Sequence, residues 1–444
     1  MRDFALSDDA AVQAQLDRLG SLSVPQGRLG LETITALLDR LGNPHRSLPP
    51  VFHVAGTNGK GSTCAFLRAM LEADGKRVHV TTSPHLVRYN ERIRLAGELI
   101  SDKALAEVLA EVLDAGKDLG PSFFEVTIAA AFLAFSRVEA DACVVEVGLG
   151  GRFDATNVLG PEVLAACGIA ALGLDHERFL LAHEAGTPEE PIARIAFEKA
   201  GIAKPGVPLV TQAYLPHVSD EISRRAALAG SPLYMRGESW AAASASDTIG
   251  YRDEHGELSL PLPVLPGAHQ IDNAVLAVAL LRHQNAVSVS DAAVAGGMRS
   301  ARWPARLQVL SPGPITELAG RRVLIDGGHN PDAAQALAAY IARTERPVDA
   351  VIGMLANKDS RGFIEILAPQ LASLVAIPVP GHEYAAPLHL AKIAHETGVP
   401  ETQTADHLEG ALDLLPSRER GTVLIGGSLY LAGTVLSANR EYPD

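Results

Sequence analysis

Residues 50–75 read PVFHVAGTNGKGSTCAFLRAMLEADG, and this stretch decides the architecture. PVFHVAG at 50–56 is apolar and β-branched, as a strand covered on both faces should be. A helix is predicted through residues 63–75. Between them lies Gly56-Thr57-Asn58-Gly59-Lys60-Gly61-Ser62. Glycines let backbone N–H groups converge, the helix N-terminus adds positive potential, and Lys60 brings a mobile charge; together these suit phosphate oxygens. The usual phosphate loop places Ser or Thr directly after its Lys. Here Gly61 intervenes and the hydroxyls come at Ser62 and Thr63, so the loop is a variant. A plain glycine-rich strand–helix turn shares much of this lettering. The lysine favours the phosphate reading, because the whole chain contains only eight lysines.

Working outward, strands and helices alternate. RVHVTTS (77–83), DACVVEVG (141–148) and VLAACGIAAL (163–172) read as further buried strands, and SDKALAEVLAEVLDAG (101–116) as a helix with Ser and Asp in N-cap positions. Such alternation predicts an α/β fold: a mostly parallel sheet with helices on both faces. Residues 235–264 have a different texture and predict a small antiparallel excursion, followed by a helix from about Gln270 to His283. GGMRSARWPARLQ (296–308) breaks the pattern and sets a domain boundary, giving an N-terminal domain over 1–298 and a smaller Rossmann-like α/β domain over 299–444. In the second domain RRVLIDGG (321–328) reads as a strand, and a helix over 332–344 is opened by Pro331. VDAVIGML, LASLVAIPV and GTVLIGGS supply more strands.

The chain has 444 residues, 47% hydrophobic and 20% charged, which excludes a disordered chain and is ample for two or three cores. A formal net charge of −14 without any basic block argues against a nucleic-acid partner. The N-terminus has no apolar signal core, and the most apolar stretch, VTIAAAFLAF at 126–135, is too short to cross a bilayer. Cys64, Cys143 and Cys167 are widely spaced in apolar sequence, as buried free thiols of a reducing compartment would be. The expectation is a cytoplasmic protein with no membrane partner.

Ser83 follows one predicted strand and Glu146 closes another. In a parallel sheet both lie at the carboxyl edge, where ligands bind, and both offer the hard oxygen that Mg²⁺ prefers. Taken alone, Glu146 could be a solvated strand end, His176 a loop histidine and Lys199 an exposed helix lysine.

AGTNGKGST, SPHL (83–86), NERIR (90–94), EVGLGGRFDATN (146–157), FEKAGI (197–202), GAHQIDNA (267–274), WPAR (303–306), DGGHNP (326–331) and GSLYL (427–431) follow one another in this order. This series resembles the folylpolyglutamate synthase/dihydrofolate synthase branch of the Mur ligase superfamily, from about residue 15 to 435. The resemblance implies an ATP-dependent amide ligase that joins L-glutamate to a carboxylate of a pteroate or folate, working as a monomer on small-molecule substrates. It assigns Ser83 to a first magnesium, and Glu146 and His176 to a second. It makes Lys199 a carbamylated lysine. Asn273 is placed at the adenine, Arg306 at the ATP phosphates, Asp326 at the ribose, and His329 and Ser428 at glutamate and the reacting centre. Lys358 is a further candidate for positive charge, or only a loop lysine. For the pterin it points to the loop 21–31 with Arg28, to Phe124 for stacking and Glu125 for hydrogen bonding, and to Phe153, Asp154 and Ala155; Phe123 and Phe124 would equally suit a helix core. Two departures stand out: Gly328 where Ala is commoner, and a longer segment between His176 and Lys199.

The chemistry explains why such parts are needed. A carboxylate does not acylate an amine at neutral pH, because its oxygen is a poor leaving group, so ATP must first phosphorylate it. Phosphoryl transfer then rests on positioning and charge neutralisation. Two other readings compete. A Mur or cyanophycin-type ligase would not carry SPHL followed by NERIR. A nucleotide switch would carry the standard loop and would leave the C-terminal half without a purpose.

Overall fold

The computed structural model describes residues 6–22, 30–174, 180–181 and 184–444. The chain forms two compact units. The first comprises Met1–Pro84, Arg88–Val264 and His269–Arg302, the second His85–Val87, Leu265–Ala268 and Trp303–Asp444.

Unit 1 is built on an eight-stranded sheet of order β4-β3-β2-β5-β1-β6-β7-β8. Its strands are β1 (Val51–Ala55), β2 (Val78–Thr81), β3 (Ile93–Leu95), β4 (Glu98–Leu99), β5 (Ala142–Glu146), β6 (Leu164–Ile169), β7 (Leu209–Thr211) and β8 (Leu233–Met235). β1, β2, β5, β6, β7 and β8 run parallel; β3 and β4 close one edge antiparallel. β1 and β5 are buried along their whole length, in keeping with their unbroken apolar lettering. The register pairs Val54 with Glu146, which brings the Gly56 loop and Glu146 side by side at the carboxyl ends.

The loop helix starts at Lys60, three residues before the predicted start, and runs to Ala73; Cys64, Phe66, Leu67, Met70 and Leu71 are buried. The helix Asp102–Ala115 is capped by Ser101, whose side chain accepts from Ala104 N. The apolar stretch at 126–135 lies inside the helix Phe123–Ser136, buried from Val126 to Phe135. The antiparallel excursion is a three-stranded sheet of β9 (Trp240–Ala245), β10 (Thr248–Asp253) and β11 (Gly256–Pro261). The helices His269–Arg282 and Asp291–Ser300 follow.

The predicted boundary needs one adjustment. Gly296 and Gly297 do not break structure but sit inside the helix Asp291–Ser300. A Cβ at Gly297 would lie 2.4 Å from Met70 N, so glycine lets this helix rest directly on the loop helix. The division falls between Arg302 and Trp303, not at 298.

Unit 2 is a six-stranded sheet of order β12-β13-β17-β14-β15-β16. Its members are β12 (Gln308–Val309), β13 (Arg322–Asp326), β14 (Val348–Ile352), β15 (Ser373–Ala376), β16 (Glu401–Thr404) and β17 (Thr422–Gly426). All are parallel except β12. The helix Pro331–Ile341 begins at Pro331 with Asn330 as its side-chain cap. Both units have the α/β layering expected from the sequence. Cys64, Cys143 and Cys167 are free and buried. Among the described residues no helix is long and apolar enough to cross a membrane.

Candidate active site

In unit 1 the carboxyl ends of β1, β2, β5 and β6 carry the candidate groups. The Gly56 loop leaves β1 and is tied to the segment after β6. Thr57 N and Asn58 N donate to Ala171 O at 2.8 and 3.2 Å, Thr57 Oγ1 donates to Gly173 O at 2.9 Å, and Gly173 N donates back to Thr57 Oγ1 at 3.1 Å. Glycine is required at Gly59. It has φ of +86°, and a Cβ there would lie 2.2 Å from Asn273 Oδ1. Gly59 also caps the helix Lys60–Ala73, whose N-terminus receives no side-chain hydrogen bond. One turn in, Thr63 Oγ1 is buried without a hydrogen-bond partner.

Two lysines meet at one carbonyl. Lys60 Nζ donates to Gly56 O at 3.1 Å and to Thr57 O at 3.3 Å, and Lys199 Nζ donates to Gly56 O at 2.8 Å. Lys199 is buried and comes from the helix Pro191–Ala200. The glycines of GLGG explain how that helix comes so near. A Cβ at Gly151 would lie 2.7 Å from Glu198 O and 3.0 Å from Lys199 Cα. A small cleft results, lined by Gly56, Thr57 and Lys60, by residues 147–150, and by Leu180 and Lys199.

Glu146 ends β5 buried, and its Oε2 accepts from Ser83 N at 3.0 Å. The sheet therefore brings two of the three expected metal groups together. Burial, reinforced by the Glu146 charge and opposed by Lys60, pushes the Cys64 thiol well above its ordinary range and keeps it protonated. His176, the third expected metal group, and Arg28 of the expected pteroate loop lie outside the described residues. Asn273 is buried, and its Nδ2 donates to Gln270 Oε1 at 3.0 Å, leaving Oδ1 directed at Gly59.

The expected pterin residues divide. Phe124 lies against Gly148, with its ring 2.2 Å from where a Cβ would stand. The Glu125 carboxylate accepts from Ser122 N at 2.8 Å and Ser122 Oγ at 2.7 Å in a capping box, so its local duty is helix initiation. Asp154 is buried, accepts from Leu149 N at 2.7 Å and Thr156 N at 3.0 Å, and organises the turn after β5. Burial raises its carboxyl above the usual range, against these hydrogen bonds. Phe153 carries the Arg152 guanidinium 4.2 Å above its ring, and Ala155 is buried.

One feature escaped the sequence reading. Arg152 and Arg194 form ion pairs with Glu184 and Glu198; Arg152 Nη2 lies 2.9 Å from Glu198 Oε1, and Arg194 Nη2 is 3.2 Å from both carboxylates. This balanced quartet holds the helix that carries Lys199, and Glu184 comes from the segment that precedes that helix. The four-residue spacing of Arg194 and Glu198 was its only local signal.

In unit 2 the ends of β13 and β17 adjoin, with Asp326 paired to Gly426 in register. The Asp326 carboxylate accepts from Leu307 N at 2.9 Å and Gly328 N at 2.7 Å. Arg306 Nη1 donates to Ala305 O at 3.0 Å and would lie 3.0 Å from a Cβ at Gly327. His329 Nδ1 lies 3.0 Å from Gly327 O. Ser428 is buried and caps the helix Leu429–Ala438, its Oγ accepting from Tyr430 N at 3.2 Å. Arg306, Asp326 and His329 thus belong to one cluster, with Ser428 on the neighbouring strand end. Close by in the same unit, His382 stacks on Tyr430 at 3.8 Å. Burial, with His382 adding to it, lowers His85 to about 4. The SPHL motif is therefore split: Ser83 serves the Glu146 edge, while His85–Val87 packs in unit 2, with Leu86 O occupying the space of a Cβ on Gly433.

A strand–loop–helix of phosphate-loop form in one unit and a Rossmann-like second unit are the layout of an ATP-dependent ligase of the Mur type, and the relatives place the chain in that class. The family model for the Mur ligase glutamate ligase domain matches residues 306–429. The dihydrofolate synthase/folylpolyglutamate synthase of Escherichia coli K12 is 34% identical over 437 residues, covering 97% of this chain and 96% of that one. Escherichia coli FolC in complex with DHPP and ADP superposes with a TM-score of 0.84 at 32% identity, over 96% of this chain and 97% of that one. A bifunctional folylpolyglutamate synthase/dihydrofolate synthase with Mn, AMPPNP and L-glutamate bound gives 0.82 at 31% identity, over 99% of each chain. The chain belongs to the dihydrofolate synthase/folylpolyglutamate synthase family.

Proposed function

We propose that this protein uses ATP to join L-glutamate to the carboxylate of dihydropteroate and to the glutamate tail of reduced folates, releasing ADP and phosphate. The observation that supports it most is the meeting of Lys60 and Lys199 at Gly56 O beside the Glu146–Ser83 edge. The glycine cradle, the helix N-terminus without a side-chain cap and the unpartnered Thr63 hydroxyl suit a nucleotide phosphate, and the hard oxygens of Glu146 and Ser83 suit a divalent metal.

In this reading residues 56–62 hold the ATP phosphates through backbone N–H groups, and Asn273 reads the adenine. Lys60 neutralises charge on the γ-phosphoryl group as the substrate carboxylate oxygen attacks phosphorus and the bond to the ADP oxygen breaks. The amine of glutamate, once deprotonated, attacks the acyl carbon; the amide bond forms and phosphate departs. Ser83 would hold one magnesium, and Glu146 and His176 a second, which would supply charge neutralisation at the transferred group. Phe124, Glu125, residues 153–155 and Arg28 keep their assignment to the pterin, the first through its ring beside Gly148. Arg306 and Asp326 keep theirs to ATP, and His329 and Ser428 to glutamate.

Lys199 is assigned as a carbamate. Two ammonium groups on one carbonyl repel each other in a buried place. A carbamate keeps one N–H for Gly56 O and replaces the second positive charge with an anion that can accept from water or metal. The protein is further proposed to be a cytoplasmic monomer. The deciding experiment gives dihydropteroate and a reduced folate as separate substrates, with glutamate and ATP. Glutamylated product from each, with ADP release dependent on both co-substrates, supports the dual assignment. Product from folate alone would reduce it to chain extension, and ATP turnover without either would remove it.

A further inference from the structure

A second set of metal-binding groups lies away from the nucleotide cradle, on the antiparallel excursion. β10 ends at Asp253, and Glu254 and His255 form the exposed turn that leads into β11. His283 follows directly on the helix His269–Arg282. Ligand atoms of Glu254, His255 and His283 all lie within 4.8 Å of one another. Glu254 Oε1 is 3.8 Å from His255 Nε2 and 3.8 Å from His283 Nδ1.

His283 is the unusual member. Its side chain is 1% exposed, yet neither ring nitrogen has a hydrogen-bond partner. An unsatisfied buried polar atom costs about 1–3 kcal/mol, so a ring with two of them calls for an explanation. Stacking on Tyr234, at 4.2 Å between centroids, accounts for the ring's packing but satisfies neither nitrogen. Both nitrogens instead face groups just beyond hydrogen-bond length. Nδ1 faces the Glu254 and His255 turn, while Nε2 faces Asp253 Oδ2 at 3.8 Å. The Asp253 side chain is itself fully buried and held by Arg282, whose Nε and Nη2 donate at 2.6 and 2.7 Å, and by Tyr251 Oη, which donates at 3.1 Å. A metal-bound imidazole commonly gives its other N–H to a fixed carboxylate, and Asp253 Oδ2 stands on that side of the ring, 3.8 Å from Nε2, so a small ring shift would make the bond.

We propose that Glu254 Oε1, His255 Nε2 and His283 Nδ1 form a binding site for Zn²⁺ or a similar borderline divalent cation, with Asp253 orienting His283. Two imidazoles and one carboxylate are the donor set this class of ion selects, with a fourth position left for water. Bonds of about 2.0–2.1 Å bring tetrahedral ligand atoms to about 3.3 Å apart, so the site closes by a small rotation of the two exposed turn side chains. Filling it would tie the β10–β11 turn to the end of the helix His269–Arg282.

The test is a titration of the full chain with Co²⁺, read by the visible bands of tetrahedral cobalt, with Mg²⁺ and ADP in excess to occupy the nucleotide site. One Co²⁺ per chain, displaced by Zn²⁺, is expected. His255→Ala and Glu254→Gln, both at the exposed turn and no threat to folding, should each weaken binding about ten-fold or more while leaving ligase turnover unchanged. His283→Gln should abolish the bands. Absence of tetrahedral bands in the parent chain, or affinities unchanged in both turn variants, would overturn the proposal.

Discussion

Gly59→Ala tests the nucleotide cradle at its tightest point. Gly59 sits at φ +86° and ψ −10°. An L-residue held in this left-handed region costs about 1–2 kcal/mol. The added methyl also lands 2.2 Å from Asn273 Oδ1 and 3.1 Å from its Cγ. Backbone cannot yield easily between β1 and the loop helix, so the Asn273 amide must swing away. It then loses the 3.0 Å hydrogen bond to Gln270 Oε1 in a buried setting, about another 1–3 kcal/mol. The total is about 2–5 kcal/mol, shared between stability and nucleotide affinity. Adding Asn273→Ala removes the collision but not the backbone strain, so the double variant should show a coupling of about 1–3 kcal/mol in a cycle. Denaturant unfolding and calorimetric ADP binding on all four proteins measure it. Wild-type ADP affinity and an unchanged unfolding midpoint in Gly59→Ala, or additivity within about 0.5 kcal/mol, would refute the argument.

Other consequences are open to simpler tests. Lys60→Ala should stay folded, because its amine bonds only loop carbonyls, yet lose at least about 10²-fold in kcat; near-normal turnover would remove Lys60 from phosphoryl transfer. Lys199→Ala should be nearly inactive and be partly rescued by a small carboxylic acid, with high-resolution density showing three atoms beyond Nζ in the parent; a bare lysine together with an active variant would defeat the carbamate. His53 is buried, and desolvation, aided by Lys204, lowers it to about 3. The unfolded chain then binds a proton that the folded chain refuses. Stability is complete above about pH 6.5 and falls on acidification, by about 2 kcal/mol at pH 5. His53→Gln should flatten the unfolding profile over that window; an equal slope in both proteins would assign the loss elsewhere.

Much of the fold was legible because its signals are local. The strand before Gly56 and the acid closing β5 announce themselves by apolar runs that stop at a glycine and at a carboxylate, and Ser101 and Pro331 mark helix starts by ordinary end chemistry. What stayed hidden depends on distant neighbours. The helix Phe123–Ser136 is apolar all round, so no 3.6-residue period distinguishes its faces. Gly296 and Gly297 look like a break until Met70 is seen to occupy the missing side chain's space. Glu125 and Asp154 also carry local duties, toward Ser122 and toward the turn at Leu149 and Thr156, that the fold displays. The Arg152, Arg194, Glu184 and Glu198 quartet joins three separate segments, and only its Arg194–Glu198 pair has a spacing that a local rule can read.

In the proposed reaction ATP activates the pteroate or folate carboxylate as an acyl phosphate, which the glutamate amine then attacks. Dihydropteroate labelled with ¹⁸O in its carboxylate tests this directly. With ATP and glutamate, one labelled oxygen per turnover should appear in the inorganic phosphate by mass spectrometry, and the glutamylated product should retain the other. Unlabelled phosphate accompanying labelled product, or label recovered in AMP, would contradict it.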